Sequence, residues 1–251
     1  MHFTLAKDRA LNELLGNWFC AFALGMVTSR YRSWHLAHHV APNTQDDPDY
    51  LQHTADDDYQ LPILRRRLFT MMLRDIGGAN LAKWVNSTTQ WLGWPAVLGL
   101  EQSPLSARER WHFVMFWGLF ATLALLTGTY VYLIVVWFIP ILSLLPAFAR
   151  VRNIAEHNYE RSPDELDHTR HVDGLAIERF FTSPFNINYH IARHFFPSVP
   201  QHNLPALHRA LLAVPEFRQG AIICSTYFGR RDSIVATIAQ PLDSGGLSQV
   251  R

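Results

Sequence analysis

Three histidines in the run His35-Leu36-Ala37-His38-His39 fall at i, i+3 and i+4, one face of a single turn if the segment is helical. Imidazoles gathered on one face have little structural use but suit a metal, since iron, zinc, copper and nickel all accept imidazole nitrogen. Far downstream, His157 and the run His190-Ile191-Ala192-Arg193-His194 supply more of them. Asn186, His190 and His194 repeat at i, i+4 and i+8, and Asn153 lies four residues before His157, so each set predicts one helical stripe. Together these are more imidazoles than one octahedral ion uses, and the pattern predicts two metal ions. Taken singly, His2, His53, His112, His168, His171, His202 and His208 read as surface or satisfied core residues. Only Cys20 and Cys224 carry sulfur, so ligation rests on nitrogen and oxygen.

The elements that position these residues follow from where charge is absent. The chain has 251 residues with 22 basic and 21 acidic side chains, a net charge of +1, and no basic face for nucleic acid. Residues 111–149 contain no Asp, Glu, Lys or Arg. As one helix at about 1.5 Å per residue they would reach roughly 58 Å, far beyond the ~30 Å hydrocarbon core of a bilayer. Broken at Thr127-Gly128-Thr129, they predict a hairpin of two membrane-crossing helices. Arg108 and Arg110 before it and Arg150 and Arg152 after it place both ends on the cytoplasmic side. An even number of crossings then separates the first histidine run from the later ones, so all lie on one face. Pro140 and Pro146 are tolerable in such a helix and predict a kink.

Around the hairpin, residues 11–27 are apolar but interrupted by Asn12, Glu13 and Asn17, and predict a re-entrant or interfacial helix. The acidic segment 46–58 lacks the spacing of a calcium loop and predicts a solvated cap, with Asp46, Asp47 and Glu156 as possible holders of ligating imidazoles. Residues 61–76 alternate arginines with Leu, Phe and Met, the pattern of an amphipathic helix on anionic headgroups. Asn203-Leu204-Pro205 opens a further helix, residues 221–227 are the one short strand candidate, and the Gly/Ser-rich residues 241–251 form a frayed tail. The expected fold is all-α: one domain over 1–251, with a membrane hairpin at 111–149 and a cytoplasmic or interfacial helical cap from 1–110 and 150–240.

The His35–His39 box, the Asn43-Thr44-Gln45-Asp46-Asp47-Pro48-Asp49 segment, Ala155-Glu156-His157, and Asn188-Tyr189-His190 continuing into His194-Phe195-Phe196-Pro197-Ser198-Val199-Pro200 together resemble the membrane fatty acid desaturase superfamily, in its bacterial acyl-lipid group. The resemblance covers nearly the whole chain. It implies two non-haem iron ions and O2 acting on an unactivated methylene of a membrane lipid or acyl substrate, with electrons from a ferredoxin or cytochrome. It assigns His35, His38 and His39 to the second histidine box, His157 to an isolated ligand, and His190 and His194 to the third box. Asn153 corresponds to a position that reaches a metal through water, and His2 to the end of the first box. Two departures stand out. The partner of His2 and a preceding membrane hairpin would fall before Met1, which implies a truncated or misassigned start. The third box carries Arg193 where a histidine is expected, and arginine cannot ligate. The same scaffold also suits a lipid hydroxylase or ketolase, or a truncated non-catalytic relative. With one ligand missing and one replaced, the expectation is poor iron binding and little activity.

Overall fold

The structure, a computed structural model, describes residues 6–89, 91–99, 105–157 and 164–240. His2 and the 241–251 tail lie outside them. The chain is mostly helical, as its patterning predicts, and divides into two units, Met1–Leu36 with Asp75–Pro146 and Ala37–Arg74 with Ala147–Arg251.

In the first unit the side chain of Asp8 accepts from Leu11 N and starts the helix Arg9–Gly16. The segment continues through a π-helical turn at Asn17–Ala21 and a short 3-10 turn at Phe22–Leu24, then stops at Gly25, whose φ of 73° suits glycine. Phe22, Val27, Ala96, Phe113, Phe116 and Trp117 form the core, with Phe22 edge-on to Phe113 at 5.3 Å. Gly93 is required there, because a Cβ would meet the Phe113 ring at 2.6 Å. A capping box between Ser106 and Glu109 opens the helix Ala107–Leu126. The chain turns at Gly128 (φ 69°) into a helical run from Tyr130 to Glu156, and Trp117 stacks on Phe138 at 5.6 Å.

The break therefore falls at Thr127–Thr129, where the sequence places it. Among the described residues, Tyr130–Glu156 is the one helix long and apolar enough to cross a membrane, where the sequence predicts two; Ala107–Leu126 spends its first turn on Arg108, Glu109 and Arg110. Only 11% of the most apolar stretch of Tyr130–Glu156 is buried. A π-helical turn at Ile134–Phe138 precedes Pro140, whose missing N–H and ring displace the regular ladder.

The second unit has its own core of Ile63, Leu68, Met71, Val151, Ile154, Val172, Tyr227 and Ile234. The amphipathic helix begins at Arg65 and ends at Ile76; Leu68 and Met71 face that core while Phe69 and Leu73 are exposed. The strand expected near 221–227 is Ile222–Cys224, and it pairs in parallel with Arg170–Val172. That partner strand is a departure from the all-α expectation. All three of its residues are buried, so no polar–apolar alternation announces it.

Candidate metal centre

The turn that carries the first histidine run is helical, within Thr28–Val40. His38 and His39 fall in the second unit and His35 in the first, where its ring stacks on Tyr31 at 5.6 Å. His38 is held from behind. Its Nδ1 lies 2.9 Å and 3.0 Å from the two oxygens of Asp47, and 3.8 Å from Asp49. Asp47 is itself fixed. It accepts from Asn43 N and Asp49 N, both at 2.8 Å, and caps the helix Pro48–Thr54 with proline in its first turn. The acidic segment is thus only partly a solvated cap. Asp47 is fully buried against an imidazole, and Asp58 pairs with Arg150 at 3.5 Å.

His157 stands at the end of the helix Leu144–Glu156, its N–H still bonded to Asn153 O at 3.2 Å. A helix end leaves carbonyls without intrahelical donors. Here the buried Arg170 guanidinium donates through Nη1 to Ile154 O at 2.8 Å and to His157 O at 2.9 Å. Two residues along, Val172 O accepts from Asn188 Nδ2 at 2.9 Å, which anchors the start of the helix His190–Phe195. One short strand therefore places two histidine-bearing segments.

The result is a cluster of buried imidazoles. Nε2 of His38 lies 3.4 Å from Nε2 of His194, and Nε2 of His190 lies 2.7 Å from Nε2 of His157. One nitrogen each from His38, His157 and His194 converges within 4.8 Å. The His39 ring is 4.4 Å from that of His194. Burial, reinforced by the charges of neighbouring histidines and Arg193, pushes His157, His190 and His194 well below the ordinary imidazole range. They are neutral at neutral pH, the form that ligates. Burial also opposes charge on His38, but the hydrogen bond to Asp47 and the charge of Asp49 outweigh it and raise its pKa.

The expected stripe from Asn186 does not form. Pro184 opens a separate short turn, Phe185 and Asn186 take φ of 60° and 59°, and Asn186 Nδ2 donates to Gln201 O at 3.1 Å. Asn153 directs its amide to His53 Nε2 at 3.3 Å. Arg193 turns onto the cluster rather than outward, with Nη2 3.0 Å from His190 Nδ1. Glu156 Oε2 approaches the same Nδ1 at 3.4 Å.

Two histidines read as ordinary core residues belong beside the cluster. His168 is buried, its ring 5.8 Å from that of His157 and 6.1 Å from that of His194; its Nδ1 donates to Asp164 O at 2.7 Å. His53 donates from Nδ1 to Asp49 O at 2.6 Å and meets Asn153 through Nε2. His171 follows His168 at i+3, but it lies in the strand Arg170–Val172 and stacks on His208, so the spacing marks no helical stripe. Only the turn-forming Asp-Pro-Asp beside His53 offers a signal.

The donor set consists of buried imidazole nitrogens, with that of His38 backed by Asp47, and it fits one first-row transition metal such as iron. The sequence profile of the family described as fatty acid desaturase matches residues 1–226. A dihydrorhizobitoxine desaturase of Bradyrhizobium elkanii is 27% identical over 213 residues, which cover 79% of this chain and 58% of that protein. The chain thus spans under two thirds of the length of that relative. No solved structure matches.

Proposed function

Because the chain belongs to the fatty acid desaturase family, we propose that it carries the histidine-ligated iron centre of an O2-dependent acyl desaturase. The observation that supports this reading most is the convergence of His38, His157 and His194 in a buried, carboxylate-backed cluster. The family resemblance implies two iron ions; the donor set among the described residues fits one. Bound iron would supply the oxidising power for O2-dependent removal of hydrogen from an unactivated methylene. Asp47 holds Nδ1 of His38 so that Nε2 faces the cluster, and Arg170 keeps His157 at its helix end. Desaturation removes two hydrogens from adjacent carbons while O2 becomes two waters. Two electrons and two protons must therefore come from outside, from a donor such as a ferredoxin or cytochrome.

The protein sits in a membrane as a multi-pass chain with the histidines on the cytoplasmic face. Supporting this are the exposed apolar run Tyr130–Glu156 and, on the second unit, exposed Ile177, Phe180 and Phe185. The substrate is an acyl chain of a membrane lipid. A second reading, a small-molecule substrate, rests on the name of the relative, which acts on dihydrorhizobitoxine. The test is expression of the chain in a bacterium with a ferredoxin system, followed by mass spectrometry of lipids and of supplied dihydrorhizobitoxine. Lipid lighter by two hydrogens supports the acyl reading, and lipid heavier by one oxygen points instead to a hydroxylase. Conversion of dihydrorhizobitoxine alone replaces the acyl substrate with the small molecule. No product of either kind from iron-loaded protein overturns the desaturase reading.

A further inference from the structure

The first unit carries a polar notch that the metal centre does not use. Ala10, Glu13 and Leu14 on the helix Arg9–Gly16 stand against Arg108, Glu109 and His112 in the opening turns of Ala107–Leu126, around a space of about 180 Å3. Both oxygens of Glu109 are occupied: Ser29 Oγ donates to one, and Ser106 Oγ donates to the other at 2.6 Å. Glu13 is only half satisfied. Arg32 Nη1 donates to its Oε1, while Oε2 is buried and meets no donor among the described residues. A buried carboxylate oxygen is costly without a donor, so this one marks a place for a donor from outside the chain. The two carboxylates are balanced by Arg32 and Arg108, which suits a ligand that is itself a zwitterion. Beyond the notch the surface changes character. Arg108, His112, Met115 and Leu119 fall at i, i+4, i+7 and i+11 on one helix face, and Met115 and Leu119 are exposed. A ligand matching both parts has a small zwitterionic end and an apolar body.

We propose that this notch binds the headgroup of a phospholipid carrying a primary ammonium, a phosphatidylethanolamine. The ammonium donates to Glu13 Oε2, the phosphate accepts from Arg108, and the acyl chains lie along Met115 and Leu119. A phosphocholine headgroup has no N–H to give Oε2, and a phosphoglycerol headgroup brings a net negative charge into a balanced site. The inference rests on the membrane reading above and adds to it a lipid site in the first unit, whereas the convergent imidazoles belong to the second.

The test is reconstitution of the full chain into phosphatidylglycerol vesicles with equal added fractions of phosphatidylethanolamine and phosphatidylcholine, then mild extraction and native mass spectrometry of the retained lipid. Phosphatidylethanolamine is expected to be retained roughly tenfold over either other lipid, the size of one charge-assisted hydrogen bond. Equal retention of the three overturns the proposal and leaves the membrane reading intact, whereas a chain that does not enter the vesicles overturns both. Arg108→Gln, at an exposed position, should lower phosphatidylethanolamine retention about tenfold. Glu13→Gln should abolish the preference over phosphatidylcholine. It also releases Arg32, so Arg108→Gln decides the matter should the Glu13 variant fail to fold. Unchanged retention by Arg108→Gln, or an unchanged preference in folded Glu13→Gln, overturns the proposal. Soluble phosphoethanolamine binding as tightly as the lipid removes the role of Met115 and Leu119 and overturns the assignment to a phospholipid.

Discussion

The two units solve opposite packing problems. The first buries aromatic rings with one another and leaves a long apolar helix facing outward, with Val131, Val135 and Val136 exposed along it. The second buries polar groups, among them His38, Asp47, Arg170, His190 and His194, pairing His38 with Asp47 and Arg170 with the carbonyls of Ile154 and His157. Buried polar groups are costly unless paired, and exposed apolar ones are costly unless the solvent is apolar. The first arrangement suits a lipid solvent, and the second suits a site that must hold charge in a dry interior. Each set of side chains would be a defect in the setting of the other.

The comparison can be broken at its most sensitive point by His38→Ala, which removes a donor atom from the convergent set. Loss of metal affinity of roughly a hundredfold or more is expected by calorimetry, beyond the ~10–100-fold typical of losing an outer hydrogen-bonding partner. Unchanged affinity would mean the second unit buries its histidines for packing alone. Arg170→Met comes next. It strands the carbonyls of Ile154 and His157 without their donor, and at ~1–3 kcal/mol for each unsatisfied group the second unit should lose about 4 kcal/mol in denaturant titration. A loss under about 1 kcal/mol would show that the clamp is incidental.

The first unit is tested by Val136→Arg, at a position 66% exposed. In a lipid-facing helix this costs ~3 kcal/mol of insertion and should shift the chain out of carbonate-washed membranes; on a water-facing helix it would be neutral. The smallest effect concerns acid. His208 is pushed down to about 4 by burial and then by the charge of His171, on which its ring stacks at 4.1 Å. Its folded pKa lies below the unfolded value of 6.5, so the neutral form stabilises the fold above about 6.5. That contribution is lost as pH falls from there towards 4. His208→Leu should flatten the acid limb of a melting-temperature profile, and an unaltered limb would assign acid lability elsewhere.

Much of this was legible in the residues. The helical turn of His35, His38 and His39 appears where spacing predicts it, and the break at Gly128 falls inside the uncharged run. The outer holders Asp47 and Glu156 are also found beside imidazoles. What sequence could not supply is geometry set by long-range partners. Arg170–Val172 forms a strand only because Ile222–Cys224 lies beside it, and His168 reaches the cluster through that placement rather than through any local period. Asn186 fell outside its predicted stripe because Pro184 and two left-handed residues end the periodicity there. Arg193 is legible as a residue that cannot ligate, but only the three-dimensional arrangement shows its contact with His190.

Asp47 spends its two oxygens on two tasks: the amides of Asn43, in the preceding loop, and Asp49, at the start of the Pro48–Thr54 helix, and the ring of His38. Occupancy of the centre and order of that loop are therefore thermodynamically reciprocal. An ion that fixes the imidazole must also protect the amides of Asn43 and Asp49 from hydrogen exchange, and any change that frays the helix start must loosen the ion by the same free energy.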